Sequence, residues 1–241
     1  MKKLIATVAF FAFAIVAGVN TMAQQGEWAG IVKYKLEWKG NVPQGVPGEW
    51  ETKIYKNLEG TDLMQAFSGA KSIHNSDKNS VIAMFDFSMI PDEGIYEGMQ
   101  GKWYIKQNID VAKLKENTTY EFTGETKDIA GIKCEKVNVT FKGGEDEKEQ
   151  KETIWVTKEL GPKTCLTYYP GLNAFPMEFP IQFSEEISLN MVAQEVKKGK
   201  VSQADLMLED GYEEISEEDF QEWMQRLQNA QQGAGASEDD M

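Results

Sequence analysis

Few side chains in this 241-residue sequence can do nucleophilic, redox or metal chemistry. There is one histidine, His74, and there are two cysteines, Cys134 and Cys165. His74 stands in Ile73-His74-Asn75-Ser76-Asp77, which reads as a polar turn carrying a surface histidine. No Cys-x-x-Cys pair occurs, and the histidine is far in sequence from both thiols, so a cysteine nucleophile is not expected. His-Glu-x-x-His, Gly-x-Ser-x-Gly, Gly-x-Gly-x-x-Gly and EF-hand patterns are missing. Ser68-Gly69-Ala70-Lys71-Ser72 has the ending of a phosphate loop, but Met64 stands where that loop needs its first glycine. No metal and no cofactor is therefore expected. The 39 Asp and Glu residues offer many carboxylate pairs. Glycoside hydrolysis needs two of them at a fixed separation across a cleft, and nothing singles out such a pair. A carboxylate-based hydrolase is the least favoured reading.

What the sequence has in surplus is apolar surface. Tyr168, Tyr169, Leu172, Phe175, Met177, Phe179, Ile181 and Phe183 fall within 16 consecutive residues. Core packing accounts for such a run. So does a greasy concavity, the usual form of a small-ligand site. Phe85, Phe87, Phe179, Phe183 and Met191 are the candidate lining residues. Met177, Met191 and Met224 would suit acyl chains of variable shape.

Charge limits the partners. The formal net charge is −14, which leaves no cationic surplus to displace the counterions of duplex nucleic acid. An anionic membrane surface repels the chain for the same reason. A hydrophobic content of 41% supports a packed core and excludes disordered and collagen-like classes.

The N-terminus reads as an address. Met1-Lys2-Lys3 precedes an apolar run from Leu4 to Val19, and Thr21 and Ala23 place small residues before a cleavage point between Ala23 and Gln24. Residues 1–23 are thus expected to be a signal peptide, and the run is short for a ~30 Å hydrocarbon core. Gln24 and not a cysteine stands directly after the cleavage point, so no lipid anchor is expected, and the mature chain is placed in the periplasm or outside the cell. In that oxidising space Cys134 and Cys165 are an even pair, and a disulfide between them is favoured over two buried thiols.

The elements that must position these residues alternate with period two. Val32, Tyr34, Leu36 and Trp38 oppose Lys33, Lys35 and Glu37 in a half-buried strand. Strands are expected from Trp50 to Leu58, Leu63 to Ser72, Ser80 to Ile90, Lys102 to Gln107, Thr119 to Thr123, Ile132 to Phe141 and Thr153 to Thr157. Met177 to Phe183 and Ile187 to Met191 form a hairpin around Ser184-Glu185-Glu186, with Pro180 suited to an edge strand. A bulge is expected near Glu135-Lys136, where the apolar parity flips. Gly143 to Glu152 reads as an exposed charged loop. Asp110 can cap a short helix through Leu114. About ten strands and little helix predict a mainly β domain over residues 24–215, one antiparallel sheet curved into a half-open barrel. Residues 216–230 are expected to be an amphipathic helix, capped by Ser216, with Phe220, Trp223, Met224 and Leu227 on one face. Residues 231–241 read as a disordered acidic tail.

Several segments carry a family resemblance. Thr123-Gly124-Glu125-Thr126-Lys127-Asp128-Ile129-Ala130-Gly131-Ile132-Lys133-Cys134 and Ile154-Trp155-Val156-Thr157-Lys158-Glu159-Leu160 are followed in order by Gly171-Leu172-Asn173-Ala174-Phe175-Pro176, Val196 to Val201, and Gly211-Tyr212. This order resembles secreted bacterial domains of unknown function related to GLPGLI-type proteins, over roughly residues 28 to 215. Such proteins are similar to the LolA/LolB lipoprotein carriers. The resemblance implies a half-open antiparallel barrel covered by helices, no catalytic residues, and a hydrophobic concavity in which an arginine helps hold the lid. The one arginine here, Arg226, lies on the C-terminal helix. The leading expectation is a non-catalytic periplasmic protein binding a lipid, acyl chain or lipidated peptide. The alternative is a filled barrel whose C-terminal helix or tail engages an envelope protein partner.

Overall fold

A computed structural model describes residues 28–40, 42, 46–62, 70–142, 149–160, 169–182 and 187–234. The strands are β1 (Ala29–Lys39), β2 (Glu49–Tyr55), β3 (Leu58–Asp62), β4 (Ala70–Asn75), β5 (Ser80–Asp86), β6 (Lys102–Asn108), β7 (Thr118–Ile129), β8 (Ile132–Phe141), β9 (Gln150–Thr157), β10 (Phe175–Gln182), β11 (Ser188–Lys198) and β12 (Glu213–Glu214). They form one twelve-stranded sheet in the order β12-β6-β5-β4-β3-β2-β1-β11-β10-β9-β8-β7. Every pairing is antiparallel except that of β12, which runs parallel to β6. Two α-helices are described, α1 (Val111–Glu116) and α2 (Glu217–Ala234).

The sheet is unclosed but strongly curved, and its connectivity requires the curvature. β6 lies next to one edge and β7 is the opposite edge, yet only residues 109–117 join them. Six helical residues and a few extended ones span at most about 20 Å. A flat sheet of this width could not be bridged by so short a segment. β7 accordingly comes into contact with β11, although three strands lie between them. Asp110 starts α1 by accepting the Lys113 amide at 3.1 Å. Replacing Asp110 with Ala should lower stability by about 1 kcal/mol in chemical denaturation, the usual cost of a lost cap.

The strand expected from Trp50 to Leu58 is two strands. Lys56 adopts φ 54° and turns the chain, and Leu58 then pairs with Tyr55. The strand expected from Leu63 to Ser72 begins at Ala70, and residues 63–69 lie outside the described residues. The expected bulge falls in the partner strand. Pairing passes from Phe122–Val137 to Thr126–Glu135, so β7 carries the extra residues around Gly124, at φ 80°. Ala130 and Gly131 both take positive φ, the two-residue turn that suits the twist of the β7–β8 hairpin.

β10 and β11 form the expected hairpin, with Phe179 opposite Met191 and Ile181 opposite Leu189. Pro180 is not in an edge strand, since β10 runs between β9 and β11. The β9 ladder stops at Glu178, so Pro180 sits where no neighbour needs its missing N–H. Its carbonyl accepts the Tyr169 hydroxyl at 3.4 Å.

The helix expected over 216–230 runs from Glu217 to Ala234, through Gly233. Ser216 Oγ accepts the Asp219 amide at 3.0 Å, as expected for an N-cap. Within the expected acidic tail, 231–234 belong to this helix. The remainder of the tail, the expected signal peptide with its Ala23–Gln24 junction, the core of the 143–152 loop, the Ser184-Glu185-Glu186 turn, Cys165 and Phe183 all lie outside the described residues. No described helix is long and apolar enough to cross a membrane.

Candidate functional site: the inner face of the sheet and its helical cover

Alternation assigns each residue to a face. Val32, Tyr34 and Leu36 of β1 share their face with Trp50, Thr52 and Ile54 of β2, and with Met191 and Leu189 of β11. The register carries that inner face across β3 to β6 through Glu59 and Thr61, Ala70, Ser72 and His74, Val81, Ala83 and Phe85, and Trp103, Ile105 and Gln107. Two apolar clusters occupy it. One fills the half built from β1, β2 and β8 to β11. The other gathers Ala70, Ala83, Phe85, Met99, Ile105 and Ile215 with Phe220 and Trp223 of α2. Trp38 and Trp50 touch both.

The candidate lining residues divide between these clusters. Phe179 and Met191 are 0% and 2% exposed in the first. Phe179 lies edge-on between Tyr34 and Tyr169, each ring 5.8 Å away. Phe85 and Phe87 stack at 5.9 Å in the second, and Phe85 stacks on Phe220 of α2 at 4.9 Å. Trp103 meets Trp223 edge-on at 5.4 Å and donates its indole N–H to the Met99 carbonyl at 2.9 Å. The helix α2 is thus a cover laid on the inner face of β4 to β6. Polar contacts hold its first residue and its middle. Gln107 Nε2 donates to Glu217 Oε1 at 3.4 Å, and Arg226 Nη2 donates to the Glu97 carbonyl at 2.9 Å.

A polar patch lies on the same face. His74 is not the surface residue expected. Ala70, Ser72 and His74 form one parity of β4, and the turn begins beyond Asn75. His74 is 6% exposed and pairs in register with Glu59, which is 8% exposed. Neither His74 nitrogen and not Glu59 Oε2 has a hydrogen-bond partner among the described residues. Burial holds the imidazole down at about 4 and pushes the Glu59 carboxyl well above the usual carboxylate range. Thr52, Thr61 and Ser72 form the next row of the face.

At the far side Glu152, opposite Val139, is pushed up to about 7 by burial, against a hydrogen bond from Tyr169 that pulls it down. Tyr120 donates its hydroxyl to the Pro170 carbonyl at 3.0 Å, and burial raises its pKa. Cys134 is buried, its Sγ donates to the Ile132 carbonyl at 3.4 Å, and burial raises its thiol to about 11; Cys165, its expected partner in a bridge, lies outside the described residues. Among the described residues no three His, Cys, Asp or Glu side chains cluster as metal ligands.

The outer face carries a cleft of about 100 Å³ between β2 to β4 and residues 205–209, rimmed by Lys53, Lys71, Asp205 and Glu209. A Cβ on Gly60 beneath it would crowd the end of the Leu206 side chain, which would have to shift. The cleft is small beside the ~300–1,000 Å³ of typical ligand pockets.

From the sequence, His74 reads as a surface turn residue and Glu152 as the end of an exposed charged loop, and Glu59 carries no signal; β9 instead begins at Gln150 and takes in Glu152. No protein-family model matches the chain, and no curated protein is significantly similar to it in sequence.

Proposed function

We propose that this is a non-catalytic periplasmic or secreted protein that binds a lipid, acyl chain or lipidated peptide on the inner face of its sheet, beneath α2. The observation that carries this reading is the separable aromatic cover. Phe220 and Trp223 lie on Phe85 and Trp103, while Gln107 and Arg226 fasten the helix through a few polar contacts. Lifting α2 exposes a ready apolar surface without opening the packed half around Phe179. Each chain methylene buried there contributes about 0.8 kcal/mol.

Native mass spectrometry of the chain purified from a bacterial envelope without detergent tests this. A mass excess that solvent extraction resolves into an acyl species is expected. Replacing Trp223 with Ala should loosen the cover and raise uptake of a fluorescent acyl probe several-fold, whereas Phe85→Asp should abolish it. A clean apo mass together with no probe uptake by either form would overturn the proposal.

The second reading, a filled barrel that engages an envelope protein partner through α2, is favoured by one observation. Phe179 and Met191 are already buried to 0% and 2% exposure in a packed cluster. Under it, deleting residues 217–241 abolishes partner capture and leaves the sheet folded.

A further inference from the structure

The cross-strand pair Glu59 and His74 is expensive to keep. Buried polar groups are normally hydrogen-bonded, and each orphan costs stability that an apolar side chain would not. Adjacent register places their Cβ atoms about 4.5–5.5 Å apart on β3 and β4. Both are more than nine-tenths buried, and three of their four polar atoms have no partner among the described residues. Ile54 and Val81 flank them in the same row, so no neighbour there can satisfy them. The hydroxyls of Thr52, Thr61 and Ser72 stand one row away.

The patch lies within reach of the covered aromatic surface. Val81, which shares the row of His74, is four residues from Phe85 on β5, about 13 Å along the strand. Gln107 ends that row and is the residue that Glu217 of α2 contacts. A chain lying on Phe85 and Trp103 would therefore bring its head to this row.

The charge pattern selects the head. On β2 to β6 the lysines Lys53, Lys71, Lys102 and Lys106 all have the outer parity, as do Glu49, Glu51 and Asp86. Glu59 and His74 are the only Asp, Glu, Lys, Arg or His residues on the inner parity among the described residues of these strands. Burial favours the uncharged form of both. A neutral imidazole offers one donor and one acceptor, and a protonated carboxyl does the same. An anionic head would find no inward lysine or arginine on these strands; the charges that α2 brings to the site are the Glu217 carboxylate at Gln107 and, further along the helix, Arg226 at the Glu97 carbonyl.

We infer that Glu59 and His74 form a hydrogen-bonding subsite for the uncharged, hydroxyl- or ester-bearing head of an amphiphile whose chain lies beneath α2. This rests on the apolar-chain reading above and adds the class of ligand.

The test compares three probes of equal chain length, a monoacylglycerol, the free fatty acid and the primary alkylamine, by titration against the full chain. The wild type should bind the monoacylglycerol at least tenfold more tightly than either charged probe. Glu59→Leu with His74→Leu should remove that preference, keep binding of the chain, and melt at a temperature no lower than the wild type. Glu59→Gln, which stays uncharged and hydrogen-bonding, should retain the preference. Equal binding of all three probes by the wild type, or a preference that survives the double leucine variant, overturns the subsite and leaves the apolar-chain reading standing. Failure of all three probes to bind overturns both. The wild-type ranking decides the matter even if the double variant does not fold.

Discussion

Replacing Phe179 with Ala is expected to cost about 3–5 kcal/mol of folding stability, the range for deleting a fully packed aromatic ring. Phe179 is 0% exposed and lies between the edges of Tyr34 and Tyr169 at 5.8 Å. Its loss removes both ring contacts and leaves a void that β10, held to β11 at Phe179–Met191 and to β9 as far as Glu178, cannot collapse to fill. The same truncation at Phe122, 38% exposed on edge strand β7 with the Lys158 ammonium 4.7 Å from its ring centroid, should cost far less, about 1 kcal/mol. Urea denaturation of the two variants measures the contrast. A loss below 1 kcal/mol at Phe179 would mean that this half of the inner face is not packed core, and would move the ligand site there.

The second large effect depends on pH. His74 has a folded pKa near 4 against 6.5 in the unfolded chain, because burial penalises the imidazolium. The unfolded state therefore binds more protons than the folded state between those values. Stability from neutral His74 is complete above pH 6.5 and is lost as pH falls towards 4, on the order of 3 kcal/mol in all. Glu59 works in the opposite sense. Its folded pKa is raised by burial, so its contribution is complete below about pH 4.5 and is lost as pH rises through the folded value. The variant His74→Gln should match the wild type at pH 7.5 and be more stable at pH 4. Glu59→Gln should be more stable at pH 7.5 and match the wild type near pH 4. Thermal melts of the three proteins across that range would show it. Parallel curves for all three would mean that both groups are hydrated in the folded state.

The pH effect has no counterpart in the local sequence. His74 lies beside Asn75-Ser76-Asp77, so the local composition reads as a turn. Its burial follows from pairing with Glu59 on one side and Val81 on the other. Those are contacts between strands, which local composition does not encode.

Alternation over β1, β10 and β11 revealed which residues face inward, because a period of two is a property of the chain itself. The same holds for α2, whose apolar residues at i, i+3, i+4 and its Ser216 cap are local signals. Mainly β class, one sheet, the capped α1 and the amphipathic C-terminal helix were all legible for that reason. The packing of Phe85 against Phe220, and of Phe179 against Tyr34, was not. Both pairs join residues more than 130 positions apart. The twelve-strand order, the local edge that accommodates Pro180 and the face on which α2 lies depend on the same long-range register. The sequence alone determined the elements and their apolar faces, through short-range periodicity and capping. Only the tertiary structure decided which faces meet, which apolar residues become core, and that Glu59 and His74 are buried together. Those outcomes follow from the curvature that a nine-residue crossing from β6 to β7 imposes on the sheet.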